Sequence, residues 1–411
     1  MTHPGRTRTY RMTGANSRTV RTINRAVVFN LIRERQPISR ALIARLTRLN
    51  KSTVSSIVNT LVSEDLIFEE PVKQRTPGRN TFGRIPISLG LRKGKSLVGA
   101  ISFDPATTLL AVVDIDGSIV CSDEIKTDVS PKEAFVARCA TRLLTIRREH
   151  RLPQLKGIGV SIAGIVDPMH ARVVLASNLG WEDLDVGGII RKECPEAGVV
   201  AVENDAKAAA LAELWFGNHD VNLVNFVFLS VGRGIGTGIV IDRRVLTGES
   251  NLAGEFGHMV LIEGGEPCGC GNAGCWEAYA SDRATVARYS SARGDGAGAA
   301  ASATIGDVID AAKAGDAAAL GALKTTGRYL GMGIANILKA IDPGTIIVGG
   351  RLCAAWDLFA PELHETVRTQ TFAGTPGMAT ILPTSLAARP SLLGAAATVQ
   401  RRIFSDVRVT L

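Results

Sequence analysis

The chain is 411 residues long, 45% hydrophobic and 21% charged, too long for one ordinary domain and too apolar for a disordered chain. Its net charge of +8 is concentrated: residues 1–90 hold sixteen Lys or Arg against five Asp or Glu, a net of +11, and the remainder holds 31 against 34, a net of −3. This asymmetry points to a nucleic-acid-binding head on a near-neutral body with another partner, and no apolar run is long enough for a signal peptide or a membrane span, so a cytoplasmic protein with no membrane partner is expected.

Arg6, Arg8, Arg11 and Arg18 lie among Thr, Ser, Gly and Asn, which predicts a disordered basic arm over 1–20 able to follow phosphates or a minor groove. Across 23–33, Ile23, Val27, Val28, Leu31 and Ile32 recur at helical spacing, and Gln36-Pro37 ends this first amphipathic helix. Ser39 then caps a second helix bearing Leu42, Ile43 and Leu46, and Asn50 caps a third that buries Val54, Ile57, Val58 and Leu61. The other face of the third helix shows Lys51, Ser52, Thr53, Ser55, Ser56 and Asn59, with no acid before Glu64. Such a set can donate and accept at base edges or phosphates in a major groove. The run 72–89 holds Lys73, Arg75, Pro77-Gly78-Arg79 and Gly83-Arg84 and ends in alternating apolar residues. It reads as a basic wing setting Arg79 or Arg84 against the backbone or in a narrow minor groove. Residues 21–90 are therefore expected to form a winged helix-turn-helix; a small three-helix protein-interaction module fits the charge bias less well.

From Ser96 onward β-branched strands alternate with helical stretches. Strands 97–103 and 109–115 form a pair, 134–148 is helical, and buried strands follow at 157–162, 199–202, 226–231, 238–241 and 345–348, which makes 91–411 an α/β body. Asn204-Asp205 follow one strand directly ahead of an alanine-rich helix, and Gly164 sits in a turn after another. Strand ends of this kind commonly hold ligands, although both residue types also serve as helix caps.

Residues 254–277 concentrate the chemistry. His258, Cys268, Cys270 and Cys275 offer one imidazole and three thiols in a glycine-rich loop, a Cys3His set suited to structural zinc. Cys-Gly-Cys is too tight for an easy disulfide, and four protein ligands leave no open position for a catalytic water. Glu255 and Glu277 flank the set, so a closed metal loop would hold both carboxylates in a rigid polar frame. Cys121, Cys139, Cys194 and Cys353 have no ligand spacing and are expected to be buried thiols. Residues 294–303 are expected to be a flexible loop, and Leu330, Ile334, Ile337 and Leu338 a core stripe.

Gly-Glu-Phe-Gly-His at 254–258, followed by Cys-Gly-Cys-Gly-Asn-Ala-Gly-Cys-Trp-Glu at 268–277, resembles the signature of the ROK family of sugar kinases and sugar-responsive repressors. Similarity to the repressor branch extends over nearly the whole chain. Asn50-Lys51-Ser52-Thr53-Val54-Ser55 is similar to the third helix of those repressors, with Ser56 where arginine is frequent and Ile85 interrupting the wing's Gly-Arg-Pro. The resemblance implies an actin-like, ribonuclease-H-like body of two lobes closing over a cleft. It implies sugar hydroxyls held by Gly164, Asn204, Asp205, Glu255, His258 and Glu277, with Asn178 and Trp181 at a lid edge; carboxylates and an amide suit vicinal hydroxyls. Asp205 also resembles the catalytic base of the family's kinases. Those kinases bind phosphate with Asp-x-Gly-Gly-Thr after their first strand, where this chain has Phe103-Asp104-Pro105-Ala106-Thr107, with no glycine and one amide donor fewer. The glycine-rich run 232–238, with Arg233 in place of threonine, and Gly349-Gly350 are better kept. The expectation is a non-enzymatic repressor of a palindromic operator, with structural zinc, a monosaccharide or amino-sugar effector and a homodimeric or tetrameric state. The alternative is an ATP-dependent hexose or amino-sugar kinase with an appended DNA head, using Asp205 as base.

Overall fold

A small helical head precedes a body built on two sheets; the structure, a computed structural model, describes residues 17–71, 87–294, 303–371, 379–387 and 389–405. Arg79 and Arg84 of the wing, most of the basic arm, and most of the 294–303 loop lie outside the described residues. In the head, α1 (Ser17–Arg35), α2 (Arg40–Thr47) and α3 (Lys51–Ser63) lead into the antiparallel strands β1 (Ile67–Pro71) and β2 (Ile87–Leu91), the layout of a winged helix-turn-helix. Helix α1 starts at Ser17, inside the stretch expected to be disordered: arginine is a good helix former, so polarity alone does not set a helix start. The hairpin also starts early, at Ile67, because only Leu66 and Ile67 are buried there while Glu69 and Glu70 face solvent, too short an apolar run to read as a strand.

Ser39 caps α2, accepting from the Leu42 N–H at 3.2 Å, whereas Asn50 occupies the cap position of α3 without a side-chain bond. The apolar stripe of α1 keeps the expected Val28 and Ile32, with Leu31 packed beside them, but turns away from Val27. Val27 is 44% exposed, while Ala26, Val28, Phe29 and Ile32 are buried. The cause is a second partner: Phe29 packs on Phe404 of the body, ring centroids 5.5 Å apart, and Ile115 and Phe404 join the head's own core.

The first body sheet contains β3 (Val98–Phe103), β4 (Thr107–Val113), β5 (Ile119–Lys126), β6 (Gly157–Ile162) and β10 (Val199–Asn204), in the order β5-β4-β3-β6-β10. A three-stranded sheet of β7 (Ile165–Asp167), β8 (Arg172–Ala176) and β9 (Trp181–Leu184) is inserted between β6 and β10. The second large sheet contains β11 (Phe226–Val231), β12 (Ile235–Ile241), β13 (Arg244–Val245), β14 (Thr345–Gly349) and β15 (Thr380–Pro383), in the order β13-β12-β11-β14-β15. Each large sheet opens with an antiparallel meander and then adds two parallel strands beside its first strand. The same plan therefore occurs twice, as a ribonuclease-H-like pair of lobes requires.

Parallel strands covered on both faces read as continuous apolar runs, and β3 and β6 are buried at every position. After α4 (Lys132–Glu149) and α5 (Val186–Glu193) of the first lobe, helix α6 (Asp205–Phe216) and the Pro390–Gln400 helix cross where the lobes join. A Cβ at Gly394 would come 2.2 Å from the Ala208 carbonyl carbon, so alanine and glycine at this crossing let the two backbones approach. Leu330, Ile334 and Ile337 are buried in the second lobe's core, with Leu338 packed against it.

Candidate functional site

After β13 the chain makes a tight turn at Phe256–His258, loops outward, and returns to the short Glu277–Ala280 helix. Trp276 anchors the return: its ring is fully buried and its Nε1–H donates to the Tyr329 carbonyl at 2.8 Å. The Cys268 N–H donates to the Asn272 carbonyl at 2.8 Å, closing the tip. This brings the ligand atoms of His258, Cys268, Cys270 and Cys275 within 4.8 Å of one another. His258 Nδ1 lies 3.6 Å from Cys268 Sγ, and the Cys270 and Cys275 sulfurs are 3.7 Å apart. The four residues can hold a metal ion. Because Nδ1 faces the thiols, Nε2 is the nitrogen left for another partner.

Glu277 is built into the frame. Its Oε2 accepts from the Ile235 N–H at 2.9 Å, and its Oε1 lies 3.9 Å from Cys268 Sγ. A Cβ at Gly234 would sit 2.2 Å from Glu277 Oε2, so the glycine of the 232–238 turn is what admits this carboxylate. Metal loop and glycine turn are thus one unit.

Asn204 is the N-cap of α6, its Oδ1 accepting from the Ala206 and Lys207 amides at 3.0 and 3.1 Å, while its Nδ2 donates to the Gly164 carbonyl at 3.1 Å. The cap and the strand-end positions are therefore both real for this residue. Asp205 begins the helix, and its carboxyl is pushed up to about 6, first by burial and then by the nearby charges of Glu255 and Asp104, against the Ala206 N–H. Glu255 lines a cavity of about 350 Å³ with Gly254, Phe256, His258 and Met259. Lys207, absent from the expected set, is 3% exposed and donates from Nζ to the Asn251 carbonyl at 2.6 Å. Burial lowers its pKa against the pull of Glu203 and Glu255. A lysine in a run of alanines was the available signal.

Trp181 is not a lid residue. It is fully buried, its ring packs edge-on against Phe103 at 5.1 Å, and its Nε1–H donates to the Val129 carbonyl at 3.1 Å; Asn178 stays exposed in the adjoining turn. The turn after β3 closes on itself: Asp104 Oδ1 accepts from the Ala106 N–H at 3.0 Å, and the Asp104 carbonyl accepts from Thr127 Oγ1 at 2.6 Å. Gly349 and Gly350 have packing reasons, since Cβ atoms there would meet the Phe228 ring at 2.4 Å and the Val231 carbonyl at 1.8 Å. Beside the glycine turn, the Asp282 N–H donates to the Gly232 carbonyl at 2.8 Å. The carboxyl of Asp282 has a buried Oδ1 without a partner, and burial pushes it up to about 7 despite Arg351.

In the head, Lys51, Ser52, Ser56 and Asn59 are exposed on α3, and Thr53 and Ser55 are half-buried. Val20, Arg21 and Asn24 of α1 face Ser52, Thr53, Ser56 and Ile57 of α3 across a groove of about 400 Å³. Arg40, also unanticipated, braces α3: its guanidinium donates to Asn59 Oδ1 at 2.7 Å, to the Ser55 carbonyl at 3.3 Å and to Glu69 Oε1 at 2.8 Å. Asn59 therefore presents its amide donor outward.

A ribonuclease-H-like body with a Cys3His loop at its cleft and a winged-helix layout at its N-terminus defines the class: a sugar-kinase fold carrying a DNA-binding-type head. The chain belongs to the ROK family, whose model matches residues 100–402. It is 31% identical to the xylose repressor of Bacillus spizizenii over 403 residues, 95% of this chain and 98% of the relative. A solved ROK family transcriptional regulator, a homologue of the E. coli MLC protein, superposes with a TM-score of 0.79 at 25% identity, covering 94% of this chain and 97% of that one. The ROK family glucokinase from Streptomyces griseus, solved with glucose and AMPPNP, superposes with a TM-score of 0.66 at 28% identity, over 73% of this chain and 98% of its own. The regulator-like match includes the head; the kinase match leaves about a quarter of this chain uncovered. Among the described residues no helix is long and apolar enough to cross a membrane.

Proposed function

We propose that the chain is a sugar-responsive transcriptional repressor: its head binds a palindromic operator as part of a homodimer, and a monosaccharide or amino sugar in the cleft releases it. The observation that carries this reading is the contrast within the cleft. On the sugar side, Asp205, Glu255 and the free Nε2 of His258 stand beside a metal-braced frame. On the phosphate side, the amides are spent. Pro105 has none, the Ala106 amide is taken by Asp104, and in the glycine turn the Gly232 amide donates to the Gly234 carbonyl and the Ile235 amide to the Glu277 carboxylate. A turn that must cradle phosphate needs free amides and no neighbouring acid.

The metal is proposed to be zinc. A tetrahedral ion with Zn–S bonds of about 2.3 Å and a Zn–N bond of about 2.0 Å has S···S edges near about 3.8 Å and S···N edges near about 3.6 Å, and the spacings of 3.7 and 3.6 Å fit. With four protein ligands its contribution is structural: it fixes His258 and the Glu277 frame. Gly164, Asn204 and Glu277 are then supports that hold the sugar-facing groups, with their main hydrogen bonds made within the protein. Lys51, Ser52, Thr53, Ser55, Ser56 and Asn59, with Arg79 and Arg84 in the wing, are proposed to contact operator DNA.

A sugar can weaken DNA binding only if it prefers one lobe arrangement. Titrating the operator complex with xylose, glucose and N-acetylglucosamine tests this, with xylose placed first because relatives are named as xylose repressors. One of them should weaken operator affinity by about tenfold or more, a coupling of about 1.4 kcal/mol. If no sugar alters DNA affinity while a coupled assay shows sugar-dependent ADP release that vanishes in Asp205→Ala, the kinase reading replaces this one.

A further inference from the structure

Helix α1 touches both lobes within one turn. Phe29 packs on Phe404 of the C-terminal Arg401–Ser405 segment, which is tied to the first lobe: Arg402 donates to the Pro168 carbonyl, and the adjoining Gln400 Nε2 donates to the Asp114 carbonyl at 2.9 Å. Four residues on, Arg33 lies over the indole of Trp215 at 4.4 Å and donates to the Trp215 carbonyl at 2.8 Å. Its neighbour Glu34 accepts from Arg243 at 2.7 Å, in the turn between β12 and β13 of the second lobe. Trp215 lies in the last turn of α6, the helix that begins at Asp205. The cleft residue and the head are thus separated by one straight helix of about 15 Å between those two positions.

We propose that the Arg33–Trp215 stack is the joint through which lobe closure on a sugar reaches the DNA head, with α6 as the rod and α1 as the lever. The proposal rests on the repressor reading above. A helix anchored to two lobes at adjacent turns cannot keep both contacts when the lobes rotate; it must follow one or release the other. The far end of α1 carries the motion to DNA, because Arg21 and Asn24 line the groove beside α3. The joint is also built to break. The Arg33 side chain is only 7% exposed and its Nε has no partner, so its burial is incompletely compensated, while the indole face, the Trp215 carbonyl and the Glu34 carboxylate at 3.0 Å hold it in place. Burial lowers its pKa to about 10, and it remains a cation at neutral pH.

The test uses the full-length, metal-loaded protein and the variants Arg33→Met and Trp215→Leu, with Arg33→Lys as the milder change should either fail to fold. Calorimetry measures affinity for xylose, glucose and N-acetylglucosamine, fluorescence anisotropy measures operator affinity with and without them, and hydrogen exchange follows residues 26–35 in the sugar-free protein. The joint predicts that sugar affinity and sugar-free operator affinity stay within about threefold of wild type. The sugar-induced change in operator affinity should shrink from about tenfold or more to less than about twofold, and exchange in α1 should quicken. Variants that keep the full sugar response, or in which α1 exchange is unchanged, overturn it. A wild-type protein that binds none of the sugars in the calorimeter defeats the repressor reading separately, and the exchange measurement then decides the joint alone.

Discussion

Measuring sugar affinity between about pH 8 and about pH 5 isolates the Asp205 carboxyl. Only the ionised carboxylate accepts hydrogen bonds from two hydroxyls, so the apparent dissociation constant scales as one plus the ratio of protonated to ionised Asp205. With a carboxyl pushed up to about 6, affinity is nearly flat above about pH 7, halves near pH 6 and falls about tenfold by pH 5, about 1.4 kcal/mol. An aspartate left at the ordinary value of 3.8 would lose less than about a tenth of its affinity at pH 5, so the two cases separate cleanly. The folding linkage has the opposite sense. The native state holds the proton more tightly than the unfolded chain, so the sugar-free protein loses stability as pH rises from the ordinary value toward 6, and the loss then levels off. Sugar binding, which selects the ionised form, offsets that loss. Calorimetry with the effector sugar is the assay, with metal content checked at each pH because thiolate ligands release metal when protonated. Asp205→Asn should bind roughly ten- to a hundredfold more weakly at neutral pH, the worth of a hydrogen bond to a charged group, and should lose the pH dependence. A flat profile in folded, metal-loaded wild type refutes the assignment of Asp205 as a sugar-binding carboxylate.

Cys268→Ser should drop metal content from about one ion per chain to a small fraction by elemental analysis and abolish the sugar response, because the loop bearing His258 loses its brace; retained metal would contradict the ligand set. Gly234→Ala brings a Cβ to 2.2 Å from Glu277 Oε2; it should displace that carboxylate and cost about 1–3 kcal/mol in denaturant unfolding while leaving metal content unchanged. Trp181→Ala should cost about 3–5 kcal/mol of stability because its ring is core; a variant as stable as wild type with altered sugar affinity would restore the lid role.

What the sequence disclosed depended on whether a residue's partner was local. Ser39 caps a helix three residues away, and the four metal-binding candidates lie within one loop, so spacing was enough to mark both. The stripe of α1 misled because Phe29 packs on Phe404, which no periodicity within 23–33 can reveal. Trp181 was misplaced for the same reason, since its edge-on partner Phe103 comes from a strand about eighty residues earlier. Strand content was legible from β-branched runs, but the repeated sheet order was not, because β13 has two residues and β15 four. Lys207 and Arg40 act through a carbonyl and an amide on distant segments, and Asp282 through burial; of the three only Lys207, a lysine among alanines, left a local signal.

The proposed loss of phosphate binding also has a structural counterpart. In a turn that cradles phosphate, small residues leave the amides exposed. Here Phe103, at the end of β3, is buried against both Phe135 and Trp181, with centroids 6.0 and 5.1 Å away, and the Asp104 side chain closes the turn that follows. Aromatic contacts of this kind add about 0.5–1.5 kcal/mol each beyond burial, so the first lobe is firmer where a kinase would need an open cradle. A sensor requires only that the lobes close differently with and without one ligand, and a rigid lobe on either side of α6 makes that difference a rotation. The rotation has somewhere to go because α6 ends under Arg33. In the proposed repressor Asp205, which a kinase would use to take a proton, would keep its place with no chemistry to perform, at one end of a helix whose other end meets the head.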